Sequence, residues 1–217
     1  MRKINDQKGI LAVISGFSGA GKGTLVKELL TRHEQEYCLS ISATTRTPRE
    51  GEVDGQHYFF LDKSVFEQRI QEERFLEHAC YVDNYYGTPK DFVFNKLSQG
   101  ISVILEIEMQ GALKVKERYP ETVLIFVTPP TAEELEARLR GRGTETEEVI
   151  LSRLSRASEE VTYMDKYDYI VLNENGRVAE CAENIHQIIE TEKRKAVYGG
   201  ELVEQLTEGL AAYKKGE

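Results

Sequence analysis

The stretch Ile10–Ser15 (ILAVIS) followed by Gly16-Phe17-Ser18-Gly19-Ala20-Gly21-Lys22-Gly23-Thr24 decides the reading of this chain. A short apolar run rich in β-branched residues reads as a buried strand. The glycines that end it let the backbone fold round an anion, with several N–H groups pointing inward. The helix that follows, with Leu25, Leu29 and Leu30 at helical spacing over residues 24–36, turns its positive end to the same point. Lys22 adds a full charge on the β/γ side of a bound triphosphate. Strand, glycine loop, lysine and helix therefore make a phosphate cradle out of residues 16–24. The residue after the lysine is Gly23, where a serine or threonine hydroxyl usually meets magnesium. Magnesium is then left to phosphates and waters, which suits an ion that dehydrates reluctantly.

Outward from the loop, three more buried runs follow: Ile101–Ile107 (ISVILEI), Val123–Val127 (VLIFV) and Tyr169–Leu172 (YIVL). Helical patterns over 112–118, 131–140 (Thr131 as cap), 145–166 and 179–198 alternate with them. Alternation of this kind predicts an α/β fold, a P-loop NTPase core whose parallel sheet is flanked by helices. Residues 1–36, 92–136 and 157–198 form that core. The stretch 37–91 is different, with short, polar strands expected over 38–43, 57–61 and 75–82. It also has a loop over 44–56, a helix over 64–74, and a turn and helix start at Asn84, Gly87 and Pro89. It reads as an inserted lobe. Residues 137–156 read as a helical lid, and 199–217 as a tail with an amphipathic helix over 202–213. The tail's leucines and Val203 suit packing on the core or on a second copy of the chain, so a homodimer stays open.

At 217 residues the chain has room for one α/β domain with insertions. A net charge of −9 argues against a general nucleic-acid binder, which usually shows a basic face. No apolar run approaches the roughly 20 residues that span a bilayer, and the polar start lacks a signal segment. Cys38, Cys80 and Cys181 have no metal-type spacing and read as reduced thiols. The expectation is a cytoplasmic protein with neither nucleic acid nor membrane as partner.

After the second strand comes Ser42-Ala43-Thr44-Thr45-Arg46-Thr47-Pro48-Arg49-Glu50-Gly51-Glu52. Two arginine forks three residues apart suit a second phosphate, although the loop alone is equally a solvated basic turn. Taken with Tyr85–Thr88, Glu106–Gly111 and Arg142–Thr146, it resembles the guanylate kinase family over about residues 8–195. The resemblance implies transfer of the γ-phosphoryl of ATP to GMP, and by extension dGMP, with Mg²⁺ as cofactor. It also implies a P-loop core, a GMP-binding lobe over 37–91 and a lid.

The resemblance makes residues 16–24 and Asn173 the ATP site, Asn173 lying near adenine. Arg46, Arg49, Tyr58 and Tyr86 would hold the GMP phosphate, and Ser42, Glu77 and Thr88 would read guanine. Glu106 stands where the family usually has aspartate, near the base and the magnesium region, with Glu108 helping from the same edge. Lys22, Arg46, Arg142 and Arg153 would be catalytic, the last two closing from the lid onto the transferring phosphate, and Arg138 is a further lid candidate. Phe17 departs from a common proline without blocking amide donation.

Chemistry supports the base assignment. Guanine offers donors at N1 and its 2-amino group, which one carboxylate accepts together. Adenine has an acceptor at N1 and would leave Glu77 charged and unpaired. Two rivals are a guanylate-kinase-like protein-binding module and a kinase for another monophosphate. The intact loop with Lys22 opposes the first, and the Ser42, Glu77 and Thr88 set opposes the second.

Overall fold

The computed structural model describes residues 9–81, 83–141, 143 and 145–213. In chain order the strands are β1 (Leu11–Gly16), β2 (Tyr37–Leu39), β3 (Ala43–Thr44), β4 (Phe59–Phe60), β5 (Phe75–Tyr81), β6 (Asn84–Pro89), β7 (Ser102–Glu106), β8 (Val123–Thr128) and β9 (Tyr169–Leu172). The helices are α1 (Lys22–Arg32), α2 (Lys63–Gln71), α3 (Lys90–Ser98), α4 (Met109–Arg118), α5 (Ala132–Gly141), α6 (Glu147–Glu160), α7 (Val178–Glu192) and α8 (Gly200–Leu210).

Five parallel strands form the larger sheet in the order β2-β7-β1-β8-β9. Val13, Ile14, Leu105, Leu124, Ile125 and Phe126 are fully enclosed, because helices cover both faces of a parallel sheet. Each such side chain contributes about 1.5–3 kcal/mol of burial. α1 and α7 pack on each other over one face, while α4 packs on β1 and β8. Right-handed crossovers put α1 and α4 on opposite faces, since the steps β1 to β2 and β7 to β8 run in opposite directions across the sheet. Ligands of such sheets bind beyond the carboxyl ends of the strands at that reversal. Register brings Gly16 beside Val127 and Ile14 beside Glu106 at this edge.

The second sheet, β4-β3-β6-β5, is mixed and has its own small core of Ala43, Phe66 and Phe75. Phe66 stacks on Phe75 and on Tyr85, with centroids 4.3 and 5.4 Å apart. The structure departs from the sequence reading here. The single strand expected over 38–43 is two strands in two sheets: β2 pairs with β7 in the core, and β3 pairs with β4 and β6. Tyr37–Leu39 thus belongs to the larger sheet and Ala43–Thr44 to the smaller. The turn expected at Asn84 to Pro89 is strand β6, whose polar sequence is held by pairing with β5 and by the stacked Tyr85. The long helix expected over 145–166 is α6 followed by a 3₁₀ segment, Val161–Lys166. α7 likewise ends at Glu192, before the expected 198. Thr131 caps α5 as expected, its Oγ1 accepting the Glu134 N–H at 3.2 Å. Among the described residues no helix is long and apolar enough to cross a membrane.

Candidate active site

The loop between β1 and α1 is shaped by backbone that side chains would spoil. Gly16 has φ +147°, and a Cβ there would lie 2.0 Å from the Val127 carbonyl oxygen. Gly21, at φ +89°, caps α1, and a Cβ there would meet Asn173 Nδ2 at 2.6 Å. These contacts set the loop's path and leave the first turn of α1 open. Phe17 points into the core, edge-on to Phe126 at 4.9 Å, so its ring stays clear of the cradle. Lys22 Nζ donates to the carbonyls of Gly16 and Phe17, at 2.7 and 3.1 Å, curling beneath its own loop. Burial lowers the Lys22 pKa, while Glu108, Glu106 and Glu160 oppose that shift.

Three groups brace the loop from behind and beside it. Asn173, buried just beyond β9, donates from Nδ2 to the Ala20 carbonyl at 2.8 Å. Arg138 on α5 donates to the Ala20 and Asn173 carbonyls, at 3.2 and 2.5 Å, and pairs with Glu134. Arg153 on α6 donates to Ser18 Oγ at 2.8 Å and pairs with Glu145 at 2.6 Å. Two arginines from consecutive helices thus reach the loop. Arg142 and Thr144 lie outside the described residues.

A cleft of about 850 Å³ runs from Lys22 to the second sheet, within the size range of ligand sites. Its walls carry Ser42, Tyr58, Glu77, Tyr86, Thr88, Glu106 and Glu108, so most of the expected acceptor residues face one space. Thr88, 1% exposed, donates from Oγ1 to Glu77 Oε1 at 2.8 Å. Burial pushes the Glu77 carboxyl up, against the pull of Thr88 and Lys114. Its other oxygen faces Gly111 on α4, where a Cβ would stand 3.4 Å from Oε2.

Arg46 lies over the Tyr58 ring at 5.4 Å and grips Glu52 with both terminal nitrogens, at 3.0 and 2.9 Å. The Arg49 N–H also donates to Glu52, at 2.7 Å, and the exposed Arg49 side chain is nearby. Held by Arg46 and the Arg49 amide, Glu52 drops to about 2. An anion thus already occupies the Arg46 fork, with bidentate geometry that suits phosphate oxygens equally.

Glu106, at the end of β7, faces the start of α1. Its Oε1 is 3.7 Å from where a Gly23 side chain would begin. Burial raises the Glu106 carboxyl, Lys22 lowers it, and Glu108 raises it further. Sequence reasoning missed the cleft residues Arg156, Lys114, His57 and His78. Arg156 bridges Glu108 and Glu160 at 2.6 and 2.9 Å. It lies three residues past Arg153, one helical turn along the same face, and that spacing was the available signal.

The guanylate kinase family model matches residues 8–192, most of the chain and both sheets. The chain belongs to the guanylate kinase family. It is accordingly an ATP:GMP phosphotransferase, which moves the γ-phosphoryl of ATP to GMP and yields ADP and GDP. It is 53% identical over 187 residues to a guanylate kinase of Caldanaerobacter subterraneus subsp. tengcongensis, covering 86% of this chain and 89% of that one. A Clostridium perfringens guanylate kinase is 49% identical over 218 residues, covering 100% of this chain and 96% of its own length. The crystal structure of the Anaplasma phagocytophilum guanylate kinase superposes with a TM-score of 0.65 at 31% identity, covering 88% and 89% of the two chains.

Proposed function

We propose that this guanylate kinase reaction runs in the cleft between the two sheets, with ATP on the Gly16–Thr24 loop and GMP against the 40–89 insert. The single observation supporting this most is the arrangement of that cleft. Lys22 stands at one end and the Glu77–Thr88 pair at the other, with Glu106 between. One wall fits a triphosphate and the other a base with two adjacent donors.

In this reading the loop amides and Lys22 bind the β- and γ-phosphates, with Asn173 on the adenine side. Arg46, Arg49, Tyr58 and Tyr86 hold the GMP phosphate, and Glu52 keeps the Arg46 fork extended before GMP arrives. Glu77, Thr88 and Ser42 read guanine. Arg153 and Arg142 come from the 137–156 lid, with Arg138 tying α5 to the loop. Phosphoryl transfer asks little covalent chemistry of the protein; it needs the acceptor oxygen aligned with the γ-phosphorus and the crowded charge neutralised. Lys22, Arg46 and Arg153 supply that neutralisation, and closure of the lid excludes water that would otherwise take the phosphoryl group.

Glu106 and Glu108 are hard oxygen donors beside the first turn of α1. The missing side chain at Gly23 leaves room at that point, so the residues fit a hydrated Mg²⁺. When bound with ATP, the ion would help neutralise the phosphate charge. Free thiols at Cys38, Cys80 and Cys181 suit a reducing compartment and a cytoplasmic setting. dGMP should be a second acceptor, because the base and phosphate contacts do not involve the ribose 2′-hydroxyl.

A bisubstrate probe tests the reading: adenosine and guanosine joined through a polyphosphate chain. One molecule should fill both walls and inhibit competitively against both ATP and GMP. Competition against ATP alone would mean that GMP binds elsewhere.

A further inference from the structure

A second cluster of ligating side chains lies away from the cleft, where α1 ends. The turn after α1 folds back on itself, with the N–H groups of Glu36 and Tyr37 donating to the His33 carbonyl at 3.0 and 3.3 Å. This brings the His33 ring onto α7, where it stacks on His186 with centroids 3.8 Å apart and planes 11° apart. One donor atom each from His33, Glu36 and His186 lies within 4.8 Å of the others. α1 is 11 residues long, so this point is about 16 Å along the helix from the phosphate loop.

Packing explains part of the cluster but leaves one group over. His33 Nδ1 sits 3.1 Å from Glu36 Oε1, and His186 Nδ1 sits 2.8 Å from the Tyr37 hydroxyl. His33 Nε2 is enclosed and has no hydrogen-bond partner. A buried ring nitrogen without a partner is costly in a purely structural pair. Glu183 Oε2 lies 3.7 Å from it, one helical turn before His186 on α7. Two imidazoles whose outer nitrogens are held by a carboxylate and a hydroxyl, with inner positions free, have the arrangement that orients histidine ligands on a metal.

We propose that His33 Nε2 and His186, with Glu183 as the oxygen donor and Glu36 and Tyr37 holding the outer ring nitrogens, form a binding site for a borderline divalent transition metal such as Zn²⁺. Two imidazoles and carboxylates suit such an ion, whereas Mg²⁺ prefers oxygen alone. Ligands on a tetrahedral zinc stand about 3.3 Å apart, given bonds near 2.0 Å. The two rings are nearly parallel, so their in-plane lone pairs converge only when the rings rotate about Cβ–Cγ and the stack opens. Binding would clip the end of α1 to α7, the two helices that cover one face of the sheet. It leaves the cleft residues untouched.

The test uses the full chain, stripped of metal and kept in excess Mg²⁺ so that the Glu106 edge is saturated. ZnCl₂ is titrated calorimetrically and by thermal melting, and Co²⁺ is used to read coordination by its visible absorption. Expected are one Zn²⁺ per chain, a rise in Tm that EDTA reverses, and the intense bands of tetrahedral Co²⁺. His33→Asn and His186→Asn should each abolish these while metal-free kcat stays at the wild-type value. Tyr37→Phe, which frees the outer nitrogen of His186, should weaken binding by roughly 10- to 100-fold. The proposal is overturned if Zn²⁺ leaves Tm unchanged in the wild type, or if the His33→Asn/His186→Asn double variant binds it equally well.

Discussion

Glu77→Gln should separate base recognition from stability. In the wild type, one Glu77 oxygen accepts the Thr88 hydroxyl at 2.8 Å and the other faces the cleft by Gly111. In the proposed reading a carboxylate there accepts both guanine donors, while a glutamine offers one carbonyl and turns an N–H₂ donor against a donor. Hydrogen bonds to a charged group are worth about 1.5–3 kcal/mol, so kcat/KM for GMP should fall roughly 10- to 150-fold, with AMP nearly unaffected. The fold should respond in the opposite sense. Burial raises the Glu77 pKa, so its charge is penalised in the folded state. For a raised carboxyl, the relative stabilisation is present below the unfolded value and is lost as pH rises through the folded one. Glutamine removes that penalty. The ligand-free variant should therefore melt no lower than wild type at neutral pH, and above it where the charge is fully formed. That gap should close on acidification. The assays are coupled ADP release with GMP and AMP, and melting curves across pH. An unchanged GMP:AMP ratio of kcat/KM would refute the base-reading role. A large loss of Tm at neutral pH would show that Glu77 is a structural residue.

Other outcomes follow from the same geometry. Lys22→Ala removes the cation beneath the loop and should cut kcat by about 100- to 1,000-fold with circular dichroism unchanged; near-wild-type turnover would remove Lys22 from the mechanism. Gly111→Ala lies in α4, where alanine is favoured by about 0.5–1 kcal/mol, and its Cβ would take up the space in contact with Glu77 Oε2, 3.4 Å away. Tm should rise while KM for GMP rises with it, and an unchanged KM would place guanine away from α4. In wild type, KM for GMP should begin to rise on acidification at a pH above the usual glutamate range, because the raised Glu77 protonates early. Initial rates at saturating ATP would show this, and a flat profile down to the usual range would contradict it.

The phosphate loop and the buried strands were legible because each is local: an apolar run, then glycines, then a helix with leucines in register. β2 and β3 could not be separated in the same way. Both lie in one short stretch, and what divides them is their partner, β7 for one and β6 for the other. β6 reads as a turn because Asn84, Gly87 and Pro89 have poor strand propensity, and the pairing with β5 outweighs that. Of the residues proposed for the site, Arg46, Glu77 and Thr88 were singled out by motif. Glu52 as the partner of Arg46 and Arg138 as a brace on Ala20 were not, since both depend on how loops and helices meet in three dimensions. Arg156 was within reach of simple helical spacing.

The central claim is that one cleft joins ATP to a monophosphate chosen by Glu77 and Thr88. ADP release from ATP in the presence of Mg²⁺, measured in parallel with GMP, AMP, CMP and UMP, tests it most directly. Rapid turnover with GMP and near-background rates with the other three are predicted. Turnover with AMP and none with GMP would contradict it.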